Sequence, residues 1–138
     1  MSPEEHRLND LIHTFASQWD RLGDPQTSQR LLADPILVLG SDGTMPVPRA
    51  AFLAAVAARS QAVSAAPAPQ TTLASATAHA LGEQMVVATI SWTFSHGTTA
   101  VTLVSDFILQ REQPDTLRCV AYLPRTNVLD HLPSATTP

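Results

Sequence analysis

The stretch Leu103–Glu112, LVSDFILQRE, reads as a β-strand with one charged residue set into an apolar run. Val104, Phe107, Ile108 and Leu109 suit a pleated, half-buried surface, whereas aspartate is depleted there. An unpaired carboxylate buried in a sheet would cost several kcal/mol. Asp106 is therefore either held by polar partners or turned toward a ligand. Strand hydroxyls such as Thr89, Ser91 and Thr102 are available for the first role.

The same run carries apolar residues on both parities: Val101, Leu103, Phe107 and Leu109 on one, Val104 and Ile108 on the other. In the preceding VVATISWTF, one face carries Val86, Ala88, Ile90, Trp92 and Phe94. A sheet apolar on both sides needs two covers. Helices supply one, and a second copy of the chain is the expected other, with loops packed on that face as the alternative. Further β-rich segments, TTLASATAHAL and TLRCVAYL, complete a four-strand meander with turns at Gly82, His96-Gly97 and Pro114-Asp115.

Upstream the periodicity is helical. Ser2, Pro3 and Glu5 form a capping box ahead of Leu8, Ile12, Phe15 and Trp19, which fall on one helix face. Gly23 ends that helix, and Asp24-Pro25 starts a shorter one, DPQTSQRLLA, which Asp34-Pro35 closes. ILVLGSDGTMPV reads as a hairpin about an Asp42-Gly43 turn, and Pro48 opens a third helix carrying Phe52, Leu53 and Val56. SAAPAPQ is a short stiff linker, and residues 133–138 are a polar tail to a single domain over 1–132.

At 138 residues the chain can bury a proper core. Charged residues are only 14%, and the net charge of −4 comes with no basic cluster, so neither nucleic acid nor an anionic membrane is an expected partner. All 8 basic residues are arginine, which excludes lysine-dependent chemistry such as Schiff bases and a P-loop. The N-terminus has no apolar signal segment and no run approaches membrane-spanning length, so a soluble cytoplasmic protein is expected. The single cysteine, Cys119, cannot form an intramolecular disulfide.

The order of elements resembles the nuclear transport factor 2-like superfamily, which includes SnoaL-like polyketide cyclases, scytalone dehydratase and ketosteroid isomerase. The resemblance runs from Leu8 to about Leu129 and rests on WDRLGDPQTSQRLLADPILVLGSDG, PRAAFLAAV and VSDFILQREQPDTLRCVAYLPRTNVL. It implies an α+β cone of the cystatin-like kind: three N-terminal helices packed in the concave face of a strongly bent, mostly antiparallel sheet. It also implies an enclosed pocket and a dimer through the convex face. Beside ketosteroid isomerase, VSDFIL matches the strand of the oxyanion-hole aspartic acid, and Asp106 falls on that position. The hydrogen-bonding tyrosine of that enzyme falls on Ala16 and its general base on Gly40, so the isomerase proton shuttle does not transfer.

These readings define expected sites. The pocket is expected to be lined by Ile12, Phe15, Trp19, Phe52, Val104, Ile108 and Cys119, with Asp106 looking into it. His79, if it faces inward opposite Asp106, would complete an acid–base couple. By strand parity, Ile90, Trp92, Phe94, Phe107 and Tyr122 are assigned to the dimer contact, and Cys119 points inward with Ala121 and Leu123. His6, His13, His79, His96 and His131 are too scattered for a metal site, and no metal or other cofactor is expected. Arg49, Arg111 and Arg118 read as surface charges. The expected function is a homodimeric domain binding a small apolar molecule in a pocket with one carboxyl. The alternatives are a cyclase-, dehydratase- or isomerase-type enzyme using Asp106 and His79 on a carbonyl-bearing substrate, or a dimerisation module whose cavity is packed shut.

Overall fold

The computed structural model describes residues 2–19, 21–40, 43–64, 70–96, 99–112 and 116–125, without the side chains of 59–64, 70–71, 96 and 99. The polar tail, His131, Gly97 and the Pro114-Asp115 turn lie outside the described residues. Helix α1 spans Pro3–Trp19. The Glu5 N–H donates to Ser2 Oγ at 3.1 Å, and Glu4 and Glu5 place negative charge in the first turn, where the helix dipole favours it. Leu8, Ile12, Phe15, Ala16 and Trp19 form its buried stripe.

Helix α2, Pro25–Leu31, is capped by Asp24, whose Oδ2 accepts the Thr27 hydroxyl at 2.8 Å and the Thr27 N–H at 3.0 Å. These two bonds, the hydroxyl's first, hold the Asp24 carboxyl below its ordinary value. Strand β1, Leu32–Gly40, follows without a break, so the chain turns extended three residues before Pro35, earlier than the sequence pattern indicates. Leu32 is the reason: it is fully buried and pairs with Cys119 of the last strand. Strand β2, Gly43–Val47, returns antiparallel, and helix α3, Arg49–Ser64, starts where Asp34 Oδ1 accepts the Arg49 N–H at 3.0 Å.

Four long strands complete the chain: β3, Gln70–Leu81; β4, Met85–His96; β5, Thr99–Arg111; and β6, Leu117–Pro124. Gly82 makes the β3–β4 turn at φ 76°, a left-handed conformation natural to glycine. The six strands form one sheet in the order β2-β1-β6-β5-β4-β3. The expected meander is present, and the hairpin joins it through β1, which runs parallel to β6 and makes the sheet mixed. Three helices cover one face of this open α+β sheet. No helix among the described residues is long and apolar enough to cross a membrane.

The pairing register decides which residues meet the helices. Phe107 lies opposite Ala88 and Tyr122, and Leu103 opposite Trp92. Phe107 is fully buried, with ring centroids 4.9 Å from Trp19, 5.3 Å from Tyr122, 5.6 Å from Phe15 and 6.3 Å from Trp92. Phe52 of α3 joins them at 5.6 Å from Tyr122 and 6.1 Å from Trp19. Edge-to-face and tilted pairs of this kind each contribute roughly 0.5–1.5 kcal/mol beyond area burial.

This corrects the expected face assignment. Strand parity puts Ile90, Trp92, Phe94, Phe107 and Tyr122 in an outer contact, yet all five are buried on the helix side or in its cluster. Val104, Asp106, Ile108 and His79 lie on the opposite, outer face, since His79 pairs with Val87 and Val87 with Ile108. The physical reason is bulk: the aromatic parity offers far more apolar area to α1 and α3 than Thr89, Ser91, Thr93 and Asp106 do. Cys119 is inward, but beside Tyr122 rather than in phase with Ala121. Leu109 pairs with Cys119 and Ile108 with Ala121, so the bulge at Val120 shifts the phase by one residue.

Candidate functional site

The polar residue that breaks β5 has its own partners. Asp106 Oδ1 accepts the Thr89 hydroxyl at 2.7 Å from the adjacent strand, and Oδ2 pairs with Nε of Arg125. The Arg125 N–H in turn donates to the Val104 carbonyl at 2.9 Å, which fixes the chain just beyond β6 against β5. Both carboxylate oxygens are thus engaged on the outer face, away from the helices. His79 is exposed on the same face, two strands across and two residues along. Strand geometry puts their Cα atoms about 12 Å apart. The fold does not bring this pair together as an acid–base couple.

Most of the expected pocket residues are packed into the core. Ile12, Phe15, Phe52 and Cys119 have at most 6% exposure. The Cys119 Sγ donates to the Ala121 carbonyl at 3.3 Å, and burial pushes its thiol far above the ordinary range. A thiol buried in this way packs as a small hydrophobe. Two hydroxyls also sit in this interior, Ser105 Oγ being 3.5 Å from the Tyr122 hydroxyl. A small hollow of about 90 Å³ opens beside Phe15, Gln18 and Thr116. Among the described residues no cluster of three or more histidines, cysteines or carboxylates is placed to hold a metal ion.

Open space of another order lies between α3 and the junction of α1 with α2. This cleft has a volume of about 930 Å³, within the range of small-molecule sites. Trp19 and Leu22 form one wall, and Leu53 and Val56 of α3 form the other. Ala50, Ala54 and Ala57 create the room: they recur at i, i+4 and i+7 on the cleft side of α3, where larger residues would close the gap. The polar rim is Ser28 and Gln29 of α2 with Asp34 and Arg49. The carboxyl of the cleft is therefore Asp34, which caps α3, and not Asp106.

Of the expected pocket residues only Trp19 lines this cleft. Asp34, Arg49 and the α3 alanines were missed as site residues. Arg49 reads as one more surface charge, and the alanine spacing, a signal in the sequence itself, is overshadowed by the bulkier Phe52 and Leu53. Arg111 and Arg118 do form surface ion pairs, with Glu4 at 2.9 Å and Glu112 at 3.2 Å.

No protein-family profile and no curated protein matches this sequence. Solved structures do match over most of the chain. A putative ketosteroid isomerase from Shewanella frigidimarina aligns at 8% identity with a TM-score of 0.62, covering 82% of this chain and 93% of that one. The protein Aln2 from a Streptomyces species aligns at 15% identity with a TM-score of 0.58, covering 95% and 96%. An NTF-2 like protein of unknown function from Shewanella oneidensis aligns at 12% identity with a TM-score of 0.56, covering 86% and 95%. At these identities the likeness is one of architecture: the chain has the nuclear transport factor 2-like fold.

The outer-face network makes a stability prediction. Thr89→Val and Asp106→Ala should each lower the free energy of unfolding by about 1–2 kcal/mol, and the double variant by less than the sum. Urea denaturation of the three variants measures the coupling. Strict additivity would show that the Thr89–Asp106 bond contributes nothing to the fold.

Proposed function

We propose that the protein binds a small, largely apolar molecule in the cleft between α3 and the α1–α2 junction. The observation that carries this reading is the pairing of an apolar 930 Å³ space with a rim of few polar groups. Such a site takes its affinity from burial and its orientation from the rim. The core beside it is packed shut by Phe15, Phe52, Phe107 and Tyr122, so Trp19 serves both, one part of its surface in the aromatic cluster and another in the cleft. The enzymatic alternative, with Asp106 and His79 as acid and base, draws no support from their placement.

A second copy of the chain completes this reading on the outer face. There Leu37 of β1 (42% exposed) and the half-buried Ile108 and Val87 lie in one row across the sheet, with the buried Ala121 of β6 between Leu37 and Ile108. Support for a dimer thus comes from aliphatic residues and not from the aromatic set.

Titration with the neutral dye N-phenyl-1-naphthylamine tests the cleft. Saturable, blue-shifted fluorescence is expected, weakened at least about tenfold by Ala54→Trp, which fills the space from an exposed helix position. Absence of saturation, or unchanged affinity in a variant with native circular dichroism, would overturn the cleft as the site. Sedimentation equilibrium tests the second copy. A concentration-dependent dimer is expected, driven to monomer by Ile108→Glu, whereas a dimer indifferent to that charge contradicts the outer-face contact.

A further inference from the structure

We infer that the cleft's ligand carries a carboxylate at one end, received by the guanidinium of Arg49. The inference rests on the cleft being the binding site and names the chemistry of what it takes.

Arg49 is the first residue of α3 and stands at the rim of the cleft, half buried. Its side chain makes one hydrogen bond among the described residues, from Nη1 to the carbonyl of the fully buried Leu32, at 3.4 Å. That bond turns the head back over the α2–β1 junction and leaves most of its five N–H donors unused. Arg111, Arg118 and Arg125 each face a carboxylate, but Arg49 has no ion pair among the described residues. Asp34 lines the same cleft, yet its Oδ1 is spent on the Arg49 backbone N–H at 3.0 Å. No ion pair among the described residues joins Asp34 to the Arg49 side chain, so the guanidinium charge is available to another partner.

A cation at the rim of an apolar space selects an amphipathic anion. The planar fork of arginine matches a carboxylate with two parallel hydrogen bonds, and the pair is stronger where apolar walls thin the surrounding water. From Arg49 the wall runs along α3 through Leu53 to Ala57. At the helical rise this is about 12 Å, room for a fused-ring or short aliphatic body lying along the helix.

Displacement of bound N-phenyl-1-naphthylamine by 2-naphthylacetate, and separately by its methyl ester, tests the inference at neutral pH. The acid should displace the dye about tenfold more tightly than the ester. Arg49→Gln should bring the acid-to-ester ratio, measured within the variant, to about one, with native circular dichroism showing that α3 keeps the backbone N–H that Asp34 caps. Equal displacement by acid and ester, or an acid preference that survives Arg49→Gln, would overturn the role of Arg49 while the cleft stands. Failure of the dye itself to bind would instead remove the cleft, and this inference with it.

Discussion

The fold depends on which side of β5 the helices accept. Phe107 is the residue that settles it, because its ring contacts α1 through Phe15 and Trp19, β4 through Trp92 and β6 through Tyr122. Strand side chains alternate, so seating one ring inward fixes every neighbour on the strand. Leu109 and Ser105 follow Phe107 into the interior, while Val104, Asp106 and Ile108 are turned out. Removing bulk of this size from a close-packed interior costs about 3–5 kcal/mol, a large part of the stability of an ordinary domain.

The position of the charged groups is a consequence. Asp106 lies in the middle of a strand because it lies on the face where Thr89 and Arg125 can satisfy it, not because a cavity needs its proton. The carboxyl that does border open space is Asp34, brought there by its role as the cap of α3. The same contact sets Arg49 at the mouth of the cleft. Ala50, Ala54 and Ala57 leave room between α3 and the α1–α2 junction, while Phe52 of the same helix packs on Trp19.

Much of the architecture could be read from local chemistry. The Ser2 cap, the Leu8–Trp19 stripe and the Asp24 cap are short-range patterns with strong physical causes, and the elements they specify are present. The parallel pairing of β1 with β6 is not readable in this way, because it joins residues far apart in sequence and leaves no turn signature. Face assignment failed for a sharper reason. In β4 the alternation of Val86, Ala88, Ile90, Trp92 and Phe94 with Thr89, Ser91 and Thr93 already marks the buried side. In β5 both parities are apolar, and the likeness of Asp106 to a pocket carboxyl chose the wrong one. The bulge at Val120 then hid the error, because it lets Cys119 and Tyr122 face the same way despite an odd spacing. The cleft is made by what α3 lacks, and the spacing of Ala50, Ala54 and Ala57 is its one mark in the sequence.

Proton–proton contacts of the Trp19 indole, measured by nuclear Overhauser spectroscopy in solution, test the central claim most directly. Strong cross-peaks from Trp19 to the rings of Phe107 and Tyr122 are expected from centroid separations of 4.9 and 5.7 Å. Cross-peaks from Trp19 to the side chains of Asp106 or Ile108, with none to Phe107, would contradict the account.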